Sequence, residues 1–381
     1  MNELIFGVIG TSKKQGEKRF PIHPEHLSRL PENICRQLIF EEGYGAPLGI
    51  SDAEITAKTG GIATREALLE NIGNVILAKP ILEDLKQLRR GGIIWGWPHC
   101  VQQTAITQVA IDRKLTLIAF EDMFSWKSNG KIRGHTFYKN NELAGYCAVL
   151  HALQLKGIDG IYGNQRKILI FGFGAVSRGA IYALKARGFV DITIYLNRPV
   201  HKAFDAIEGC KYIHFLKHND TEMHVMGEDG TKQPLINLIS KSDIIVNAIL
   251  QDPDKPVTFV KESDASQLKA HCLIIDVSCD EGMGFYFAQP TTFTKPILKI
   301  NGLDVDYYAV DHTPSYLWES ASRSISEALI EYLPTVVAGP ESWQNNVTIR
   351  KALNIENGEI CNPLILSFQN RQTQYPYKVI D

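Results

Sequence analysis

Short apolar runs alternate with helix-like segments through the first part of the chain: LIFGVIG at the start, QLIFEEG near residue 40, VILAKP near 78, GGIIWGW near 95 and TLIAFED near 120. Apolar runs of strand length separated by helical patterns predict a parallel sheet covered by helices. From Asn141 the segment NELAGYCAVLHALQLKG spaces its apolar residues helically and stops at Gly157, which predicts one long helix leading out of a first lobe. A second alternation then opens with KILIFGFGAVSRGAIYALKARG and continues through ITIYLNRP, SDIIVNAIL and HCLIIDVS. VDYYAVDHTPSYLW reads as a strand followed by a loop. SASRSISEALIEYLPTVV reads as an amphipathic helix opened by serine, whose apolar face is either core or a contact surface between copies. The tail from Pro340 is polar with scattered apolar anchors. The fold class expected is therefore α/β, with two Rossmann-like lobes and a cleft between them. Residues 1–140 form the first part of one lobe, 141–309 a nucleotide-binding lobe, and 310–381 the part that returns to the first lobe, with the tail.

Composition narrows the function without naming it. A chain of 381 residues suits two domains at about 100–200 residues each. It is 44% hydrophobic and 22% charged with a formal charge of −2, so there is no basic excess of the kind that nucleic acid or an anionic membrane surface calls for. No run approaches roughly 18 consecutive apolar residues, and the start, MNELIFGVIG, lacks a basic, then long apolar, leader. A cytoplasmic protein with neither nucleic-acid nor membrane partners is expected. The seven cysteines are scattered, odd in number and without a CxxC pair, which predicts free buried thiols; the histidines show no metal-ligand spacing. Cys100 beside His99 is the one thiol whose reactivity is open.

The most informative local pattern is Gly172-Phe173-Gly174-Ala175-Val176-Ser177-Arg178-Gly179, which follows the apolar run Lys167–Phe171 and opens a helix. In that setting the first glycine permits a tight turn, the second lets backbone approach a pyrophosphate, and the helix N-terminus supplies unpaired N–H groups to the phosphates. Ser177 stands where a third glycine is usual, with Gly179 two places on. The next strand, Ile192–Leu196, ends in Asn197-Arg198 in place of the carboxylate that usually holds the ribose hydroxyls. Nothing there repels a 2′-phosphate, and Arg198 can pair with one, so NADP is favoured over NAD; a solvated surface arginine is the alternative.

Lys79 ends VILAKP and His99 follows GGIIWGWP, so two neighbouring parallel strands would deliver both to one edge. A lysine there is either exposed at the strand tip or held in a polar site, and a histidine titrates near neutral pH and can shuttle a proton, although lone histidines are commonly structural.

GVIGTSKKQGEKRFPIHPEHL, VILAKP, GWPHCVQQ, AFEDM, NELAG, FGFGAVSRG and IIDVSCDEG together resemble, in order and spacing, the alanine dehydrogenase and pyridine nucleotide transhydrogenase family, over about residues 3 to 335. That family includes the lysine-forming saccharopine dehydrogenases and carboxyethylornithine synthase, and the loop Asp311–Ser315 is closer to the latter. The resemblance implies an NAD(P)-dependent oxidoreductase acting on a carbon–nitrogen bond. Arg19 would bind substrate carboxylate, Lys79 would contact the substrate and assist proton transfer, and His99 would be the acid/base. Asp280 would face the nicotinamide and the amine, with Asp276 structural, and His312 would contact substrate or be tied to backbone. Gly172, Gly174, Ala175, Val176, Ser177, Asn197, Arg198, Ala248, Ile249 and Leu250 would line the cofactor; no metal is implied. Glu121, Asp122 and Glu142 are candidates for receiving a substrate ammonium. The substrates expected are an amino acid and a 2-oxo acid such as pyruvate, joined as an imine and reduced, in a homo-oligomer. A plain alanine dehydrogenase and a catalytically silent nucleotide-binding protein are the alternatives.

Overall fold

The apolar runs of the first part become strands β1 (Phe6–Ile9), β2 (Leu38–Glu41), β3 (Gly61–Ala63), β4 (Asn74–Leu77), β5 (Ile93–Gly96) and β6 (Thr116–Ala119), followed by a hairpin of β7 (Phe124–Trp126) and β8 (Ile132–His135). The structure is a computed structural model that describes residues 3–196, 199–200, 205–218, 222–226, 231–249, 251 and 256–380. It divides into one unit of Met1–Tyr138 with Trp318–Asp381 and a second of Lys139–Leu317. In the first unit the six strands pair in parallel in the order β3-β2-β1-β4-β5-β6. The chain therefore steps outward from β1 to one edge and then restarts beside β1 toward the other. That reversal creates a switch point between β1 and β4, where the loops leave in opposite directions and open a crevice at the carboxyl ends of the strands.

The strands are apolar at their centres because both faces are covered, with Glu41, Asn74 and Thr116 at strand ends. Ile93 and Trp95 of β5 face a core that includes Phe6, Val8 and Ile118, while Ile94 between them joins Val75, Leu77 and Leu117 on the other side.

The second unit repeats the plan. Its strands are β9 (Ile168–Phe171), β10 (Ile192–Leu196), β11 (Lys211–His218), β12 (Glu222–Met226), β13 (Lys232–Pro234), β14 (Ile244–Asn247), β15 (Thr258–Val260), β16 (Cys272–Asp276), β17 (Gly284–Phe285), β18 (Ile297–Lys299) and β19 (Val305–Tyr308). The parallel set runs β11-β10-β9-β14-β16-β19, with β12 and β13 antiparallel outside β11 and β18 antiparallel outside β19. Its switch point lies between β9 and β14. The helix expected from Asn141 to Gly157 spans Tyr138–Lys156, and Gly157 ends it at φ +62°. It crosses the helix Ala175–Ala186 so closely that a Cβ on Gly179 would lie 1.8 Å from the Glu142 carbonyl oxygen. The displaced third glycine thus serves helix-on-helix packing.

After Leu317 the chain returns to the first unit. The single helix expected over this stretch is two, Trp318–Leu329 and Leu333–Val337, with Pro334 in the first turn of the second. Ile325, Leu329, Leu333, Val336 and Val337 are buried in the first unit's core, so the apolar face is core packing and not a contact surface. The tail adds β20 (Leu353–Glu356) antiparallel to β6 and β21 (Glu359–Ile360) beyond it, anchored by buried Trp343, Ile349, Ile355 and Ile365. Among the described residues no helix is long and apolar enough to cross a membrane.

Candidate active site

The carboxyl ends of β4 and β5 bring Lys79 and His99 together. Because the strands are in register, Ile76 opposite Trp95, the two side chains leave neighbouring ends, and Lys79 Nζ lies 2.7 Å from His99 Nε2. With Lys79 as the ammonium donor, the ring proton of a neutral His99 sits on Nδ1, which is 3.9 Å from Glu121 Oε1. Lys79 is 9% exposed, and its backbone carbonyl accepts from Ser12 Oγ at 2.9 Å. His99 has φ +50°, left-handed backbone, and its N–H donates to Glu121 Oε1 at 2.7 Å. The pair therefore stands on a constrained turn and not on a frayed strand end.

Glu121, a candidate for receiving a substrate ammonium, follows β6, and its hold on the histidine turn is a contact the sequence does not disclose. Burial, then the Asp122 carboxylate, pushes its carboxyl up to about 8. Its side chain keeps 24% of its surface open, which lets solvent moderate the shift without reversing it. Its Oε2 is buried with no hydrogen-bond partner, as a carboxyl that holds a proton part of the time can tolerate better than a carboxylate. Glu121 thus faces the histidine turn. Asp122 is engaged elsewhere, accepting from Asn362 Nδ2 at 3.3 Å. Glu142 lies in the helix Tyr138–Lys156 of the second unit, a different unit from Glu121 and Asp122. Cys100 is buried, and burial followed by Glu121 and Asp122 drives its thiol well above the ordinary range, which disfavours the thiolate that a nucleophile needs.

Arg19, expected at a substrate carboxylate, is 5% exposed and holds Glu17 in a two-pronged pair, Nε to Oε1 at 2.8 Å and Nη2 to Oε2 at 2.6 Å. Its guanidinium carbon lies 4.9 Å from the centre of the Trp97 ring. The salt bridge with Glu17 is real but buried, and it aims the fork along the ring face.

In the second unit β9 runs into the glycine-rich turn. Gly172 adopts φ +94°, and a Cβ there would meet the Ala248 carbonyl oxygen at 3.0 Å, so this position demands glycine. Gly174 is the N-cap of the helix Ala175–Ala186, with no side-chain cap, and among the described residues no atom lies within 4 Å of its would-be Cβ. An uncapped helix start beside open space at a switch point fits a pyrophosphate. Ala175, Val176 and Ser177 form the first turn, and Ser177 is wholly buried. Ala248 and Ile249 leave β14 across from Gly172, and the Ile249 carbonyl accepts from Ser278 Oγ at 2.6 Å. Asn197, Arg198 and Leu250 lie outside the described residues.

Asp276, at the end of β16, is wholly buried and accepts from Asn247 Nδ2 (2.9 Å), Cys279 N (3.0 Å) and Tyr307 OH (2.9 Å). Burial pushes its carboxyl up to about 6. It fixes the turn that carries Asp280, a half-buried carboxyl likewise raised by burial. His312 is buried, with Nδ1 2.6 Å from Asp311 Oδ1 and Phe293 edge-on at 5.0 Å. Among the described residues no group of His, Cys, Asp and Glu is arranged to hold a metal.

Two doubly wound units, one with a glycine-rich turn opening a helix at its switch point and the other with a lysine–histidine pair at adjacent strand ends, define a two-part Rossmann-like protein. The chain belongs to the alanine dehydrogenase/PNT family, whose N-terminal domain matches residues 8–132 and C-terminal domain residues 150–363. The match runs to residue 363, well past the point near 335 where the likeness was read to end. The chain is 28% identical over 335 residues to N(5)-(carboxyethyl)ornithine synthase of Clostridium botulinum, covering 83% of this chain and 90% of that one. It is 22% identical over 364 residues to alanine dehydrogenase 1 of Staphylococcus aureus, covering 92% of each. Among solved structures an L-alanine dehydrogenase superposes with TM-score 0.72 at 16% identity over 96% of this chain and 99% of the other. A transhydrogenase from Sinorhizobium meliloti does so with TM-score 0.69 at 17% identity over 94% and 99%. These two share the fold.

Proposed function

We propose that this chain reduces an imine formed from a 2-oxo acid and the amino group of an amino acid, using NADPH in preference to NADH. The observation that carries the reading is the 2.7 Å contact of Lys79 Nζ with His99 Nε2 at adjacent strand ends. A cation that polarises a carbonyl oxygen and an imidazole that passes protons near neutral pH are what carbon–nitrogen condensation needs: water must leave the carbinolamine, and nitrogen must finish protonated. When bound, the reduced nicotinamide supplies the hydride to the imine carbon.

The protein's own work is positional and protonic. Lys79 Nζ donates to the 2-oxo acid oxygen, and His99 Nε2 takes the proton released as the amine attacks and returns one as water departs. Glu121 holds the histidine turn. The Gly172–Gly174 turn and the start of the helix Ala175–Ala186 hold the pyrophosphate, with Asn197 and Arg198 as the proposed ribose and 2′-phosphate contacts and Ala248, Ile249 and Leu250 on the nicotinamide side. Asp280 orients the amine. Arg19 meets the substrate carboxylate through its planar guanidinium, and His312, held by Asp311, contacts substrate. The carboxyethylornithine synthase likeness favours a secondary-amine product over a simple amino acid.

The test incubates purified protein with NADPH or NADH, pyruvate, and ammonia, ornithine or lysine in turn, and identifies products by mass spectrometry. A carboxyethyl amino acid made with NADPH is the expected result. Turnover with ammonia alone would replace this reading with an alanine dehydrogenase.

A further inference from the structure

The turn that presents His99 is gripped from behind by residues beyond 363, where the family match ends. Gln369 is 7% exposed, and its Nε2 donates to the carbonyl oxygens of Cys100 at 2.6 Å and Val101 at 3.0 Å. Thr107 Oγ1 donates to the same Cys100 oxygen at 2.8 Å. Arg371, 4% exposed, donates from Nε to Gln369 Oε1 at 2.7 Å, which fixes the amide so that its nitrogen faces the turn. Arg371 Nη1 in turn donates to Gln108 Oε1 at 2.8 Å and to the Tyr377 carbonyl at 2.9 Å.

On the other side His99 N donates to Glu121, and the His99 carbonyl accepts from Gln103 N at 2.9 Å. Hydrogen bonds from three separate parts of the chain therefore hold a three-residue turn whose first residue sits at φ +50°. Left-handed backbone at a non-glycine residue persists only where its surroundings over-determine it. The two carbonyls that Gln369 holds directly follow the histidine, so a small rotation there swings the imidazole.

We propose that Gln369, oriented by Arg371, is a positioning residue: it clamps the Cys100–Val101 carbonyls and so keeps His99 Nε2 on Lys79. The clamp rests on the reading of His99 as the proton carrier. It assigns the C-terminal tail a part in the chemistry of this chain. Gln369 touches neither ring nor substrate and acts through the backbone of the turn.

The experiment compares the full-length protein with Gln369→Leu, which keeps bulk and removes the amide that holds both carbonyls, and with Thr107→Val, which removes the other donor to the Cys100 carbonyl and only a longer 3.3 Å contact from Gln369 Nε2. Four quantities are read: kcat, nucleotide affinity by fluorescence titration, the thermal midpoint, and the His99 ring titration by nitrogen NMR of histidine-labelled protein. For Gln369→Leu kcat should fall about tenfold to a hundredfold, nucleotide affinity should stay within about twofold, and the His99 titration should be displaced. Thr107→Val should follow in the same direction, more weakly.

The clamp is overturned if both variants keep the parent's kcat and His99 titration. It is equally overturned if kcat falls only together with nucleotide affinity and the thermal midpoint, since the tail would then be a general brace. Should the parent turn over none of the proposed substrates, the functional reading fails while the NMR comparison still decides the clamp.

Discussion

The two units are built on one plan and finish it differently. Both place their first strand at the centre of a 3-2-1-4-5-6 parallel order, so both have a switch point at the carboxyl end of that strand. In the second unit β9 ends in Gly172-Phe173-Gly174 and a 12-residue helix whose start is uncapped and open. In the first unit the same position is already filled. There the Glu41 carboxylate, from the end of β2, accepts from Gly10 N and Thr11 N at 2.8 Å each and from Thr11 Oγ1 at 2.5 Å. Backbone N–H groups that could have cradled a ligand anion are spent on a protein anion. Topology thus supplies two equivalent crevices, and side chains decide which one stays free for a nucleotide and which becomes a platform for Lys79 and His99.

The largest expected effect tests that division directly. Lys79→Ala or His99→Ala should lower kcat by about a thousandfold while leaving nucleotide affinity unchanged, because the pair sits in the unit without the open cradle. The double variant should be little worse than the poorer single one, since the two act as a unit. Weakened nucleotide binding in either variant would mean that the units do not divide the work.

The mirror experiment ranks second. Gly174→Val should weaken nucleotide binding by about a hundredfold, near 2.7 kcal/mol, with little change in thermal midpoint, because no atom of the described residues lies in the space its side chain would enter. Gly172→Val should lose affinity and also about 1–3 kcal/mol of stability, because φ +94° strains a branched residue. If the two variants behave alike, the openness at Gly174 is not a binding feature.

The two halves also differ in how much of them could be read from residues alone. The Gly172–Gly179 run carries its meaning locally, in a strand, a turn and a helix contiguous in sequence. The Lys79–His99 pair was within reach because strand alternation places both at the ends of neighbouring strands, although only the register of β4 on β5 gives their 2.7 Å separation. The supports around them were hidden. Glu41 lies 31 residues from Gly10, and Gln369 lies 269 from Cys100. A hydrogen bond across such distances leaves no periodic trace in sequence. The tail beyond Pro340 looked polar and peripheral for the same reason: its anchors, Trp343, Ile349, Ile355 and Ile365, are spaced to suit tertiary packing and follow no single helical or strand repeat. Arg19 was legible as a residue, but its burial with Glu17 against Trp97 was not.

Glu41→Gln sharpens the contrast from the side of the filled crevice. The amide keeps one acceptor oxygen but loses the charge that three donors share, and Arg65 Nη1, 3.8 Å from the carboxylate, loses a counterion. About 2 kcal/mol of stability should go, seen as a lower denaturation midpoint, with nucleotide affinity untouched in the other unit. A variant as stable as the parent would show that the anion in this crevice is dispensable.

The smallest effect is a pH dependence rooted in Glu121. Its carboxyl rises from an ordinary 4.5 to about 8 through burial and then the Asp122 charge. A group that binds its proton more tightly folded than unfolded favours the folded state most below the unfolded value, and the benefit is lost as pH climbs through the folded value. Stability should therefore decline from pH 4.5 toward pH 8, by about 1.4 kcal/mol for each unit of displacement that solvent leaves intact. Asp276 contributes in the same direction but between 3.8 and about 6, and burial raises Asp122 and Asp280 as well, so the parent's curve alone mixes several carboxyls. Glu121→Gln separates them: glutamine imitates the protonated form, and its unfolding free energy should fall less than the parent's between pH 6 and 8.5. Parallel curves over that interval would mean that the open quarter of the Glu121 side chain lets water cancel the shift, and the carboxyl facing the His99 turn would then be an ordinary anion.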